Sequence, residues 1–367
     1  MTIDIYIILL TLISSAVCGM AFTPLILKFC KKKHLYDMPN ARKVHKNPIP
    51  RLGGIVFIPS MMVAVLITFD FLRLQYHSQI IHINLSSLHV VVSLFVIYMT
   101  GIIDDLIGLN APVKFTLQII SGVILTLAGF YLNNLYGLFG IYEMPQWLGS
   151  ILTVFIIVFV CNAINLIDGI DGLAASLAII GLCGFCYLYA QLSYLTYCVL
   201  ICGIIGCLLS YLFFNLFGSA EKGLKIFMGD SGSLTLGFLL GFLFINYSIK
   251  MSVYADQYSQ PFSIAWSFFI LPIFDVVRVF FFRIMNHRSP FQPDKNHIHH
   301  KLLAAGLTQH QALLALIALA MAFIIINKSL SPLNNANISL LTDVIMYIAF
   351  NVCVNAAIKR RKKVEVR

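Results

Sequence analysis

Four polar strings interrupt long apolar runs in this sequence: GIIDDLIG with Asp104 and Asp105, NAINLIDGIDGL with Asn162, Asn165, Asp168 and Asp171, FMGDSGS with Asp230, and PDKNHIHHKL with His297, His299 and His300. Carboxylate and amide oxygens suit a hard cation, and Mg²⁺ is typically held by one or two carboxylates together with substrate phosphates. Asn162 and Asn165 lie one turn apart and can present their oxygens on one helix face. Gly169 and Gly172 then free the backbone to bend, so that Asp168 and Asp171 can turn toward a common centre. The competing reading is a cap and turn joining two apolar segments, which does not call for four polar residues at a membrane boundary.

The other strings also carry two readings each. Asp104 and Asp105 leave a helix about 100° apart, so one carboxylate can face a metal or substrate while the other orients Lys114 or a histidine. Alternatively, the pair marks a membrane boundary. Asp230 before Ser-Gly-Ser reads as the N-cap of the helix it opens. With Gly229 and Gly232 beside it, the same helix end can seat a phosphate, with Mg²⁺ between carboxylate and phosphate. The three histidines have no cysteine nearby and no common zinc spacing, and Lys295 and Lys301 would repel a cation. Beside Arg283 and Arg288 they read as an anion-binding loop, where a bound phosphate would favour the charged imidazolium. A basic loop facing anionic lipid would explain the lysines but not three histidines. A fifth string, DMPNARKVHKNPIPRLGG, is restricted by Pro39, Pro48 and Pro50 and offers Lys43 and Arg51 to phosphate.

The elements that must position these residues follow from composition. The chain has 367 residues, of which 59% are hydrophobic and only 11% are charged, too few charges to cover a soluble protein of this size. Apolar runs long enough to cross a bilayer fall near 4–28, 54–72, 86–103, 114–132, 148–164, 174–191, 195–214, 231–248, 262–284, 309–327 and 341–358, about eleven in all by the length a bilayer requires. The expected fold is an all-α polytopic integral membrane protein, a single transmembrane domain over 1–367. With Met1 outside and the C-terminus cytoplasmic, only Arg73, Lys250 and Lys328 of the 25 lysines and arginines face outward, as the positive-inside rule requires. That orientation puts all the polar strings on the cytoplasmic face. The net charge of +10 is spread over short loops, which does not suggest a nucleic-acid partner. Cys183 and Cys186 form a C-x-x-C inside an apolar run and read as small buried residues rather than a redox pair. Single cysteines introduced across Lys359 to Arg367 are expected to resist membrane-impermeant labels in intact cells. Labelling there as rapid as in an outer loop would reverse the orientation.

In this order, the strings resemble the polyprenyl-phosphate N-acetylhexosamine-1-phosphate transferase family. The resemblance is closest to bacterial enzymes that load N-acetylglucosamine-1-phosphate onto undecaprenyl phosphate for O-antigen, common antigen or teichoic acid. It implies a ten- or eleven-span homodimer in the bacterial cytoplasmic (inner) membrane, with a cytoplasmic cleft for UDP-N-acetylglucosamine and Mg²⁺, which Mn²⁺ can replace. The family's metal ligand falls on Asp230, and the second asparagine of its NxxNxxDGxDG motif on Asn165. Its lysine near the lipid phosphate falls on Lys114, although the common DDxxK spacing is absent. Its contacts to the nucleotide diphosphate fall on Arg283 and on His297, His299 and His300. Asn162, Lys43 and Arg51 complete the candidate substrate contacts, and Asp104, Asp105, Asp168 and Asp171 are the candidate catalytic acids. A phosphate monoester with a second pKa of about 6 is already roughly 90% dianionic at pH 7, so Asp104 or Asp105 is expected to orient Lys114 or Mg²⁺ more than to remove a proton. The sister branch, the phospho-MurNAc-pentapeptide transferases of peptidoglycan synthesis, carries three consecutive histidines, a run that Ile298 interrupts here. A secondary transporter is the rival of another class; its polar sites usually lie near the bilayer midplane, whereas the acids here lie at span ends.

Overall fold

The computed structural model describes residues 2–38, 47–76, 84–253, 262–289 and 295–365. Lys43, with Arg42 and His45, lies outside the described residues. The first long helices are α1 (Thr2–Lys33), α2 (Phe57–Tyr76) and α3 (Leu85–Ile107). Asn84 starts α3 as a side-chain cap, accepting the Ser87 N–H at 2.8 Å. They are followed by α4 (Ala111–Leu127), α5 (Gln146–Ile167), α6 (Leu173–Gln191) and α7 (Leu195–Leu212), the last running into a π-helical turn over Phe213–Phe217. The remaining helices are α8 (Gly229–Val253), α9 (Phe262–Ser267), α10 (Ile270–Met285), α11 (Ile298–Ala304), α12 (Gln309–Leu330) and α13 (Ala336–Glu365). A reciprocal capping box between Thr308 and Gln311 opens α12.

Among the described residues, nine helices are long and apolar enough to cross a membrane. Two of the eleven expected spans take a different form. The run at 114–132 becomes α4, which has 17 residues and ends at Leu127; Gly129 follows at φ +86°, and the chain passes into an antiparallel hairpin of β3 (Asn134–Leu138) and β4 (Ile141–Glu143). The run at 262–284 breaks between α9 and α10. Pro272 in the first turn of α10 has no N–H to return to Phe268, so a continuous helix would lose a hydrogen bond there.

Burial orders the bundle. Of the membrane-spanning stretch of α8, 89% is buried, against 22% for α1 and for α13. An apolar helix without a polar face belongs at the centre, and α8 packs there against α3, α5, α6 and α9. Close approach relies on glycine: a Cβ on Gly101 of α3 would lie 2.5 Å from the Asp230 carbonyl oxygen. At the same end, β1 (Tyr36–Asp37) pairs antiparallel with β2 (Ile49–Pro50). The segment entering α8 extends this pairing, with Phe227 N–H on Pro50 O at 2.7 Å, Gly53 N–H on Phe227 O at 2.9 Å and Gly54 N–H on Met228 O at 2.7 Å. The first loop and the FMGD string are therefore bonded backbone to backbone.

Candidate active site

The site grows from the way α8 begins. Gly229 adopts φ +71°, and a side chain there would collide with the Arg51 carbonyl and the Asp105 carboxylate, so only glycine fits. The buried Asp105 carboxylate accepts the N–H groups of Asp230 and Ser231, each at 2.9 Å. It thus caps α8 from another helix and meets the positive end of its dipole. The expected cap was Asp230 itself. Because Asp105 does that work, the Asp230 carboxylate is free to face the other strings.

Asp230 joins three of those strings. Its Oδ1 accepts Asn165 Nδ2 at 2.8 Å, and its Oδ2 pairs with the Lys114 ammonium. Lys114 also reaches Asp104 Oδ2 at 3.0 Å. The other oxygen of Asp104 accepts the Leu109 N–H at 2.5 Å, closing the turn between α3 and α4 that brings Lys114 back. The two neighbouring acids diverge as helix geometry requires, Asp104 toward Lys114 and Asp105 toward α8. Asn165 makes a second bond to Ser233 Oγ at 2.8 Å. Asn162, one turn earlier, points elsewhere: its amide donates to Gln118 Oε1 of α4 at 2.6 Å and to the Val158 carbonyl at 2.7 Å.

Beside this network lies a cavity of about 340 Å³ at the ends of α3, α5, α7 and α8. Arg51, Asp105, Asn165, Asp168, Asp171, Asp230 and His300 line it, so residues from all five strings meet there. Desolvation, and then the negative charges of Asp230, Asp171 and Asp105, push the Asp168 carboxyl up to about 7. Asp171 is paired with Lys225 at 2.7 Å. Asn215, from the π-helical turn, accepts the Gly172 N–H at 2.7 Å and donates to the Ile226 carbonyl at 2.8 Å. It thereby fastens the DGIDG turn to the approach to α8. Neither Lys225 nor Asn215 was among the candidate residues. Lys225 lies in a short polar loop with no motif of its own, and the only signal for Asn215 was a lone amide within YLFFNLF.

The histidines divide by role. His297 is buried and its Nδ1 lies 2.8 Å from Asp275 Oδ2, so it faces α10. His299 is buried against Gly169, where a Cβ would strike its ring. Burial, with the neighbouring His300, pulls its imidazole down to about 3. That burial favours the neutral His299 imidazole, whereas the expected imidazolium was tied to a bound phosphate. Only His300 of the three lines the cavity. Arg283 is buried in the last turn of α10 and is not among the residues lining it. Burial and the charge of Arg278 pull the Lys301 amine down to about 8, and its Nζ lies 3.2 Å from Asn351 Oδ1.

The donors at the cavity are hard oxygens, and the crowding of acids around Asp168 is the kind that a cation relieves. Among the described residues no three His, Cys, Asp or Glu side chains stand close enough to hold an ion by themselves. Mg²⁺ usually completes its shell with substrate phosphates and water. Of the two expected ligands, Asp230 could hold it, whereas Asn165 turns its amide nitrogen to Asp230 and Ser233; the Asp168 carboxylate, which also lines the cavity, could take that place.

Helices that can cross a membrane, with an acidic cleft at one end of the bundle, define a polytopic membrane protein. The family model described as glycosyl transferase family 4 matches residues 87–248, the stretch from α3 to α8 that contains Asp104, Asp105, Lys114, Asn165, Asp168, Asp171 and Asp230. The probable undecaprenyl-phosphate N-acetylglucosaminyl 1-phosphate transferase of Bacillus subtilis (strain 168) is 32% identical over 322 residues, covering 86% of this chain and 83% of that protein. The undecaprenyl-phosphate alpha-N-acetylglucosaminyl 1-phosphate transferase of Escherichia coli (strain K12) is 29% identical over 362 residues, covering 96% and 93%. The enzyme of that name from Yersinia pestis is 29% identical over 312 residues, covering 83% and 79%. The chain belongs to glycosyl transferase family 4.

Proposed function

We propose that this protein transfers N-acetylglucosamine 1-phosphate from UDP-N-acetylglucosamine to undecaprenyl phosphate, releasing UMP, at a Mg²⁺-dependent site on the cytoplasmic face of the bacterial inner membrane. The observation that carries this reading is Asp230, held between Lys114 and Asn165 at the edge of an acidic cavity, within the stretch the family model matches. The relatives named above support the choice of sugar and lipid.

In the proposed reaction an oxygen of the lipid phosphate attacks the sugar-bearing phosphorus of the nucleotide sugar. A new P–O bond forms to the lipid phosphate, the P–O bond to the α-phosphate breaks, and UMP leaves with that oxygen. Positioning and charge neutralisation carry most of such a transfer. Lys114 supplies a cation beside the incoming lipid phosphate, and Asp104 aims it. Asp105 holds α8 so that its first turn and Asp230 face the cleft. His300 and Arg51, which also line the cavity, offer donors to the diphosphate. Mg²⁺ (or Mn²⁺ in its place), when bound at Asp230 and Asp168, supplies neutralisation of the diphosphate charge.

Purified protein incubated with undecaprenyl phosphate, Mg²⁺ and a panel of UDP-sugars should give one dominant lipid product, whose mass corresponds to undecaprenyl diphosphate carrying one N-acetylhexosamine. A product carrying the MurNAc-pentapeptide, or none with UDP-N-acetylglucosamine, would contradict the assignment.

A further inference from the structure

The carboxylate of Asp275 is fully buried in α10, outside the cavity, yet four donors converge on it. His297 Nδ1 lies 2.8 Å from Oδ2, while the Ile298 N–H at 2.9 Å, Arg278 Nη2 at 2.8 Å and the Tyr347 hydroxyl at 3.2 Å all reach Oδ1. Facing a carboxylate, His297 Nδ1 must carry the proton and donate. Arg278 also donates to the Asn296 carbonyl. One acid thus joins α10, α13 and the entry to α11. Apolar side chains could hold these helices together without the penalty of burying charges. What a carboxylate adds is direction, because each donor must approach at a fixed angle.

That direction leads into the cleft. The rings of His297 and His299 stack with an interplanar angle of 6° and centroids 5.9 Å apart, and the His300 ring lies 4.2 Å from that of His299, tilted by 49°. His299 seats on Gly169, between Asp168 and the rest of the DGIDG turn, and His300 lines the cavity. We propose that Asp275 is a positioning residue for the nucleotide-sugar diphosphate, fixing His297 and the Ile298 backbone so that the row of three rings presents His300 to the cleft. This inference rests on the transferase reading above.

The test is steady-state kinetics of the purified full-length enzyme, varying UDP-N-acetylglucosamine and undecaprenyl phosphate separately. Asp275→Asn keeps an acceptor for Ile298 but places an amide donor against His297. It is expected to lower kcat/KM for the nucleotide sugar by about tenfold or more, with the KM for the lipid changed less than about twofold. His297→Asn can place an amide N–H where Nδ1 was and should retain at least about fivefold more activity than His297→Ala. In a double-mutant cycle, Asp275→Asn with His297→Ala should be no worse than the poorer single variant, because the two residues act as a unit. Additive losses, equal effects on both substrates, or no advantage of His297→Asn over His297→Ala would overturn the proposal. If Asp275→Asn fails to elute as a monodisperse species, the two His297 variants decide the question. An inactive wild type would sink the transferase reading and this inference with it, whereas an active wild type with unaffected variants would sink the inference alone.

Discussion

Asp230→Asn is expected to lower kcat by at least about 10²-fold to 10³-fold, the scale on which removing a group that stabilises transition-state charge acts, while the protein still folds and inserts. The division of labour at the start of α8 makes this separation possible. Asp105 accepts the Asp230 and Ser231 N–H groups, so the cap survives the substitution. The Asp230→Asn side chain would offer one neutral oxygen to either Lys114 or Asn165, and its amide nitrogen would oppose the donor on the other side. Asp105→Ala should do the reverse and lower thermal stability first. It leaves two N–H groups of a buried helix start without acceptors, at about 1–3 kcal/mol for each unsatisfied group. Kinetics alongside a thermal unfolding curve for each variant checks both claims. Near-normal turnover by Asp230→Asn at ordinary Mg²⁺ would remove Asp230 from the chemistry.

The second large effect is expected at Lys114. Lys114→Met leaves Asp104 and Asp230 facing each other without the cation that bridges them, and takes a positive charge away from the proposed lipid phosphate. The loss in kcat/KM for undecaprenyl phosphate should reach about 10²-fold, which corresponds to about 2.7 kcal/mol. Lys114→Arg, which keeps the charge but not the compact ammonium, should fall between. The KM for UDP-N-acetylglucosamine should move little. If both substrates suffer equally, Lys114 serves only to order Asp230, and the lipid phosphate sits elsewhere.

Much of this was legible in the sequence because lipid imposes simple rules. A run of apolar residues ending in a charge marks a helix and its end, and all eleven expected runs are helical over much of their length. What the rules miss is local: they do not register the missing N–H of Pro272, which divides α9 from α10, or the early end of α4. At the site, the strings named the acids well, since Asp104, Asp105, Asn165, Asp168, Asp171 and Asp230 do converge. Partners were harder to read. That Asp105 rather than Asp230 caps α8 depends on a contact between residues 125 positions apart. Asn162 shares its helix and spacing with Asn165, yet Gln118 of the adjoining α4 captures it. Asp275 is an isolated acid in the apolar run that forms α10, and only the fold reveals that it bonds His297 and the Ile298 N–H. Spacing along one helix sets which face a residue occupies; which neighbour waits on that face is a property of the packing.

The most direct test of the central claim follows the β-phosphorus. UDP-N-acetylglucosamine labelled at that atom, incubated with the enzyme and undecaprenyl phosphate, should deliver the label to the lipid and release unlabelled UMP in equal amount. Asp230→Asn should reduce both together. If the label instead leaves in UDP while the sugar alone reaches the lipid, the protein transfers a glycosyl group, and the roles given to Lys114, Asp230 and the cleft are wrong.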